Sequence, residues 1–220
     1  MRPPLPTPIA IPWTMKPLAS AQTRLEHLDD GRLRLSIVHD VLHGVTPSML
    51  VWWFTHLEGV MELEGAHHER YRIWHPHDHV SLRYAKRSGA GIGPGSVFHI
   101  TEYLGRNPDH LVDVHTRVER LDEGGFRHRP RVAGLSPLVM DYRFTRVPGG
   151  TLYENSLVLG FAHRAARPLN ERLRRRFFPD AKGHAWLLHN VEEVGNLEFF
   201  LPRLIEAESG RGPTRVALPG

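Results

Sequence analysis

His189 and Glu193 stand four residues apart in the run His189-Asn190-Val191-Glu192-Glu193, within an otherwise apolar helical segment. On an α-helix that spacing leaves the two side chains only ~40° apart around the axis, on one face. Trp186, Leu197, Phe200 and Leu204 fall on the same arc, so the pair points with core residues. An imidazole and a carboxylate turned inward need each other, a water or a metal, because an unpaired buried charge is very costly. Two further segments offer partners. Trp74-His75-Pro76-His77-Asp78-His79 carries histidines at alternate positions, which share one face if the stretch is extended. Glu102 lies in Val97–Leu104, where Phe98, Ile100, Glu102 and Leu104 alternate onto an apolar face, an exception to binary patterning. The plain alternative for Glu102 is an edge salt bridge with Arg106. Taken together, the three segments supply imidazoles and carboxylates suited to a borderline metal ion: zinc first, with manganese or iron(II) also compatible.

The elements that must hold these residues follow from periodicity. Residues 1–20 read as an extended, proline-rich arm, 21–210 as one domain and 211–220 as a C-terminal tail. Arg32–Leu42 alternates as a strand, and Thr46-Pro47 supplies an N-cap and first-turn proline for a helix through Met49, Trp52, Trp53 and Leu57. Val97–Leu104, Leu111–Leu121, Leu138–Val147 and Thr151–Phe161 read as strands, with Gly124-Gly125 and Pro148-Gly149-Gly150 as turns. Pro168–Phe178 and Lys182 to about Glu208 read as helices, the second kinked rather than ended by Pro202. A long amphipathic helix after a run of antiparallel strands must bury its apolar face on them. The fold class is therefore α+β, and the element order resembles a START-like helix-grip, a curved sheet around a C-terminal helix with a cavity between.

Composition narrows the chemistry. The chain has 220 residues, 40% hydrophobic and 24% charged, which suits one globular domain. It contains no cysteine, so any metal is held by histidine and carboxylate. The proline-broken N-terminus has no signal or spanning segment, and the expectation is a cytoplasmic protein with no membrane partner. Arg164, Arg167, Arg172, Arg174, Arg175 and Arg176 read as a solvated helix face rather than a nucleic-acid surface, since no recognition motif accompanies them. Gly89–Gly95 lacks a Walker lysine and is not a phosphate loop.

Three stretches carry a resemblance: Gly44–Phe54, Tyr71-Arg72-Ile73-Trp74-His75-Pro76-His77-Asp78-His79, and His189–Leu197. Over roughly residues 40–205 the chain resembles the 2,4-diacetylphloroglucinol (DAPG) hydrolase family, which includes phloretin hydrolase. The resemblance implies a START-like fold and a zinc ion held by two histidines and two glutamates. It also implies hydrolysis of the carbon–carbon bond between an acyl group and a phenolic ring. Carried onto this chain, His79, Glu102, His189 and Glu193 would be the ligands. Tyr71 stands eight residues before His79, the family spacing of a tyrosine that contacts substrate hydroxyls. This register favours His79 over His75. An asparagine the family has three residues after that ligand is Leu82 here, and its central histidine and tyrosine have candidates in His128, Tyr142 and Tyr153. His75 or His128 would donate the proton that the departing ring carbon needs. Trp52, Trp53, Trp74 and Trp186 would line the cavity. The implied partner is a small acylphenol substrate, and a homodimer is compatible with the sequence. The competing reading is a START-like binding protein whose metal site is structural or degenerate.

Overall fold

The computed structural model describes residues 2–89, 91–130 and 137–210; the expected tail at 211–220 lies outside them. The elements in chain order are β1 (Ala21–His27), β2 (Leu33–His39), β3 (Leu42–His43), α1 (Pro47–Thr55), β4 (Val60–Leu63), β5 (Ala66–Glu69) and α2 (Arg70–Trp74). There follow β6 (His79–Lys86), β7 (Val97–Tyr103), β8 (Leu111–Asp122), β9 (Gly125–Pro130), β10 (Leu138–Val147) and β11 (Gly150–Leu159), then α3 (Arg167–Phe177) and α4 (Asp180–Glu208). One antiparallel sheet runs β1-β2-β11-β10-β9-β8-β7-β6, with β3 beside β11, while β4 and β5 form a separate hairpin. α4 lies against β1, β2, α1 and α2. This is the α+β helix-grip, START-like arrangement that the element order leads one to expect.

Local chemistry accounts for these elements. The Thr46 side chain accepts the Met49 N–H at 3.3 Å, capping α1, and Pro47 needs no donor there. Irregular pairing at His79/Ser81, Tyr84/Lys86 and Val118/Arg120 interrupts the ladders of β6 and β8, and such bulges bend a strand and let a sheet curl round a helix. Gly125 is more than the turn residue expected: it opens β9 with φ +149°, and a Cβ there would stand 2.0 Å from the Tyr142 carbonyl oxygen. α4 runs continuously through Pro202. Val194, Leu197, Phe200 and Leu201 on α4 join Trp53 and Phe54 of α1 in one buried cluster. Trp186, Leu187 and Val191 join Leu33, Leu35 and Ile37 of β2 in another.

Three readings change. His75, His77 and His79 do not share a strand face, because Arg70–Trp74 is helical and a turn follows before His79 opens β6. Trp53 belongs to the packed core, edge-on to Trp74 at 5.8 Å, and Trp52 stacks on His56 at 4.4 Å; only Trp74 and Trp186 of the four tryptophans line the cavity. Strands β1, β4, β5, β6 and β9 are additional to the strands that the sequence pattern predicts. The proline-rich arm lies along the domain: the Trp13 indole donates to Asn196 at 3.0 Å, and the Ile9 N–H to the Pro76 carbonyl at 3.2 Å.

Candidate metal centre and its cavity

The site forms where the start of β6, the end of β7 and the centre of α4 meet. His79 and Glu102 are directly opposed in the β6–β7 ladder, so pairing alone brings an imidazole beside a carboxylate. α4 adds His189 and Glu193 from one face. His79 Nε2 stands 3.4 Å from Glu193 Oε2 and 3.6 Å from Glu102 Oε2. His189 Nε2 lies 3.8 Å from each of the same two oxygens. The four side chains thus converge. Arg106, the alternative partner for Glu102, instead donates to the His77 carbonyl at 3.1 Å.

Hydrogen bonds behind the cluster orient both rings. His79 Nδ1 donates to the Tyr71 carbonyl at 2.6 Å, which also satisfies an orphan carbonyl of the short helix α2. Its Nε2 is then the bare nitrogen, and it is buried without a hydrogen-bond partner. His189 Nδ1 donates to Asp78 Oδ2 at 2.9 Å. Asp78 is held in turn by the backbone N–H groups of Gly105 and Arg106, at 2.8 and 2.9 Å. The Tyr71 hydroxyl donates to Glu102 at 2.7 Å while its ring stacks on His79 at 3.8 Å.

The electrostatics reflect crowded carboxylates. Burial, with Glu102 and Asp78 nearby, pushes the Glu193 carboxyl up to about 8 against the pull of His189. Burial works against protonated His189, yet the Asp78 hydrogen bond and the Glu102 and Glu193 charges carry it up to about 9. Burial pushes His79 well below the usual histidine range, assisted by His189 and His75.

A second group, His75, Asp78 and His189, also lies close together. Its lone pairs are already used. His75 Nδ1 accepts the Asp78 N–H at 3.2 Å, its Nε2 meets Glu192 at 3.1 Å, and its ring stacks on His189 at 4.3 Å. His75 therefore stands behind His189 and does not line the cavity.

The cluster opens on a cavity of about 370 Å³, within the size range of small-molecule sites. Its walls include Phe54, Trp74, Phe98, Phe126 and Trp186, with Glu102, His128, Tyr142, Lys182, His189 and Glu193 as polar members. The apolar face of β7 that carries Phe98, Ile100 and Glu102 is thus a cavity wall. His128 contacts Thr116 Oγ1 at 2.6 Å through Nδ1 and the Tyr142 hydroxyl at 3.3 Å through Nε2. Burial pulls His128 down to about 3, so it is neutral at pH 7. The same effect, with Glu193 and Glu102 adding to it, raises the Tyr142 hydroxyl well above the usual tyrosine range. Tyr153 lies buried outside the lining, edge-on to His39 at 5.4 Å. The sequence pattern singles out neither Thr116 nor Lys182, and it groups Asp78 with the neighbouring histidines without giving it a separate role.

Residues 19–126 match the family model of the DAPG hydrolase PhiG domain. No curated protein matches the chain. Among solved structures, Ara h 8.0201 is 15% identical, with a TM-score of 0.45 over 76% of this chain and 99% of that one. The KanY protein (ms6282) is 12% identical, with a TM-score of 0.48 over 86% of this chain and 99% of that one. The protein of unknown function SA2116 from Staphylococcus aureus is 13% identical, with a TM-score of 0.47 over 80% and 96%.

Proposed function

We propose that this chain, which belongs to the DAPG hydrolase family through residues 19–126, is a metal-dependent hydrolase of acylated phenols. The bond cleaved would join the acyl carbon to the aromatic ring. His79, Glu102, His189 and Glu193 would hold the ion, zinc in the first instance. The observation that carries this is the bare, buried His79 Nε2, without a hydrogen-bond partner and aimed at two carboxylates and a second imidazole. Ligand bonds of ~2.0–2.1 Å put tetrahedral ligand atoms roughly 3.4 Å apart, close to the spacings among these four side chains. Each ring is further held through its other nitrogen, as metal-binding histidines are.

When bound, zinc supplies Lewis acidity toward a substrate oxygen. The chain's own groups do the rest. Tyr71, anchored on Glu102, has a hydroxyl oxygen left to accept from a ring hydroxyl. The aromatic walls take the ring and limit water. Water's hydroxyl ends on the acyl carbon, and the ring carbon takes a proton. His128, neutral at pH 7, would hold the Tyr142 hydroxyl at the cavity wall, and that hydroxyl, which stays protonated, would relay the proton from water. His75 would act by holding His189 in place.

The test is metal analysis of the purified protein alongside an assay for phloroglucinol released from monoacetylphloroglucinol. Near-stoichiometric zinc and turnover are expected, both lost in His79→Ala and Glu102→Gln. Protein that binds no zinc at neutral pH after metal addition would sink the reading. Tight binding of the acylphenol without release would favour a binding protein instead.

A further inference from the structure

One charged side chain on the cavity wall lies outside the four converging side chains, within reach of the Glu102 charge but not paired with it. Lys182 stands in the first turn of α4 and lines the cavity with Leu111, Val112 and Phe178. Its ammonium donates to the Leu111 carbonyl at 2.9 Å and lies 5.7 Å from the centre of the Phe178 ring. Among the described residues no carboxylate forms an ion pair with it. Two nearby carboxylates are engaged elsewhere. Asp180, in the same turn, meets His27 at 2.9 Å, and Asp113, the exposed carboxylate of the cavity lining, meets His99 at 2.7 Å. A lysine here is unfavourable for the helix, because a cation in the first turn opposes the helix dipole. Partial burial adds to that cost.

Position supplies the reason. Lys182, Trp186, His189 and Glu193 succeed one another at steps of four, three and four residues, on one face of α4, and all four line the cavity. At 1.5 Å per residue, the lysine stands about 10 Å along the axis from His189. The cavity therefore has a carbonyl-directed end at the imidazole–carboxylate cluster and a cationic end at Lys182, with apolar wall between.

We infer that the substrate carries an anionic group, a carboxylate, at the end remote from its reacting carbonyl, and that Lys182 receives it with the ammonium N–H groups left free by Leu111. This rests on the reading of the cavity as the substrate site. It makes Lys182 a specificity residue that separates acidic acylphenols from neutral ones.

The probes are phloroglucinol acylated through one carboxyl of pimelic acid and the same compound with a primary amide at the free end. Affinities would be measured by calorimetry on the zinc-loaded protein, and released phloroglucinol would be followed separately. The wild type should bind the acid about tenfold or more tightly than the amide, as a charge-assisted hydrogen bond allows. Lys182→Gln should bring the acid to the level of the amide, and Lys182→Arg should keep most of the preference. Equal affinities in the wild type overturn the assignment, and that measurement stands even if Lys182→Gln proves poorly folded. A preference that survives in a folded Lys182→Gln protein overturns it as well. Acid preference without phloroglucinol release keeps the Lys182 assignment and removes the hydrolase reading.

Discussion

Asp78 shows how much of this site lies behind its four converging side chains. It takes two backbone N–H groups and the Nδ1–H of His189, which together hold its carboxyl down to about 2 despite burial. Asp78→Asn keeps the shape but replaces an ionised acceptor with a weaker one. We expect zinc affinity to fall about 10- to 100-fold, the usual effect of removing such a support, with little change in fold. Competition against a chelator of known affinity would measure it, and unaltered affinity would mean that Asp78 serves only the Gly105–Arg106 turn. The helical pair His189–Glu193 and the carboxylate Glu102 were legible from spacing and from a broken apolar pattern. His79 is favoured over His75 only by the Tyr71 spacing of the family resemblance, not by the pattern of the histidine run itself. Its place in the site depends on a helix ending at Trp74 and a turn before β6, and alternation by itself cannot reveal that change of backbone.

At the scale of elements, α1 is a support for the cavity rather than part of its chemistry. Phe54 lines the wall and Trp53 backs Trp74 from the core. The Thr46 cap holds the start of this helix, so Thr46→Ala should cost about 1 kcal/mol of stability. In a domain of this size that lowers Tm by roughly 2–4 °C. Thermal unfolding checks the first number, and zinc stoichiometry should stay unchanged. The cap, α3, α4 and strands β2, β7, β8, β10 and β11 were readable because their signals are local: a Thr-Pro pair, apolar periodicity, glycine-rich turns. β9 was not, since Gly125 reads locally as a turn residue. Only the approach of the Tyr142 carbonyl across the ladder explains why a glycine begins a strand there.

For the whole molecule, burial of a histidine outside the cluster leads one to expect a loss of stability in acid. His39 is buried, meets Asn155 Oδ1 at 3.1 Å and is pulled by burial down to about 4 from an ordinary value of 6.5. The folded state therefore binds fewer protons here than the unfolded chain between those two values. Its stability contribution is complete above pH 6.5 and is lost progressively as pH falls toward 4, by at most roughly 3 kcal/mol. Urea unfolding at pH 7 and pH 5 should show a smaller acid loss in His39→Gln than in the wild type; equal losses would remove His39 as a cause. The sequence by itself determined the donor types, the order of the elements and the inward face of α4, because these depend on residue chemistry and short-range periodicity. Tertiary structure decided how His79 comes to face Glu102, which tryptophans wall a cavity instead of filling a core, and that Lys182 shares that cavity with His189 and Glu193. Those outcomes depend on strand register, bulges and packing between segments more than a hundred residues apart in places, where no local pattern carries the information.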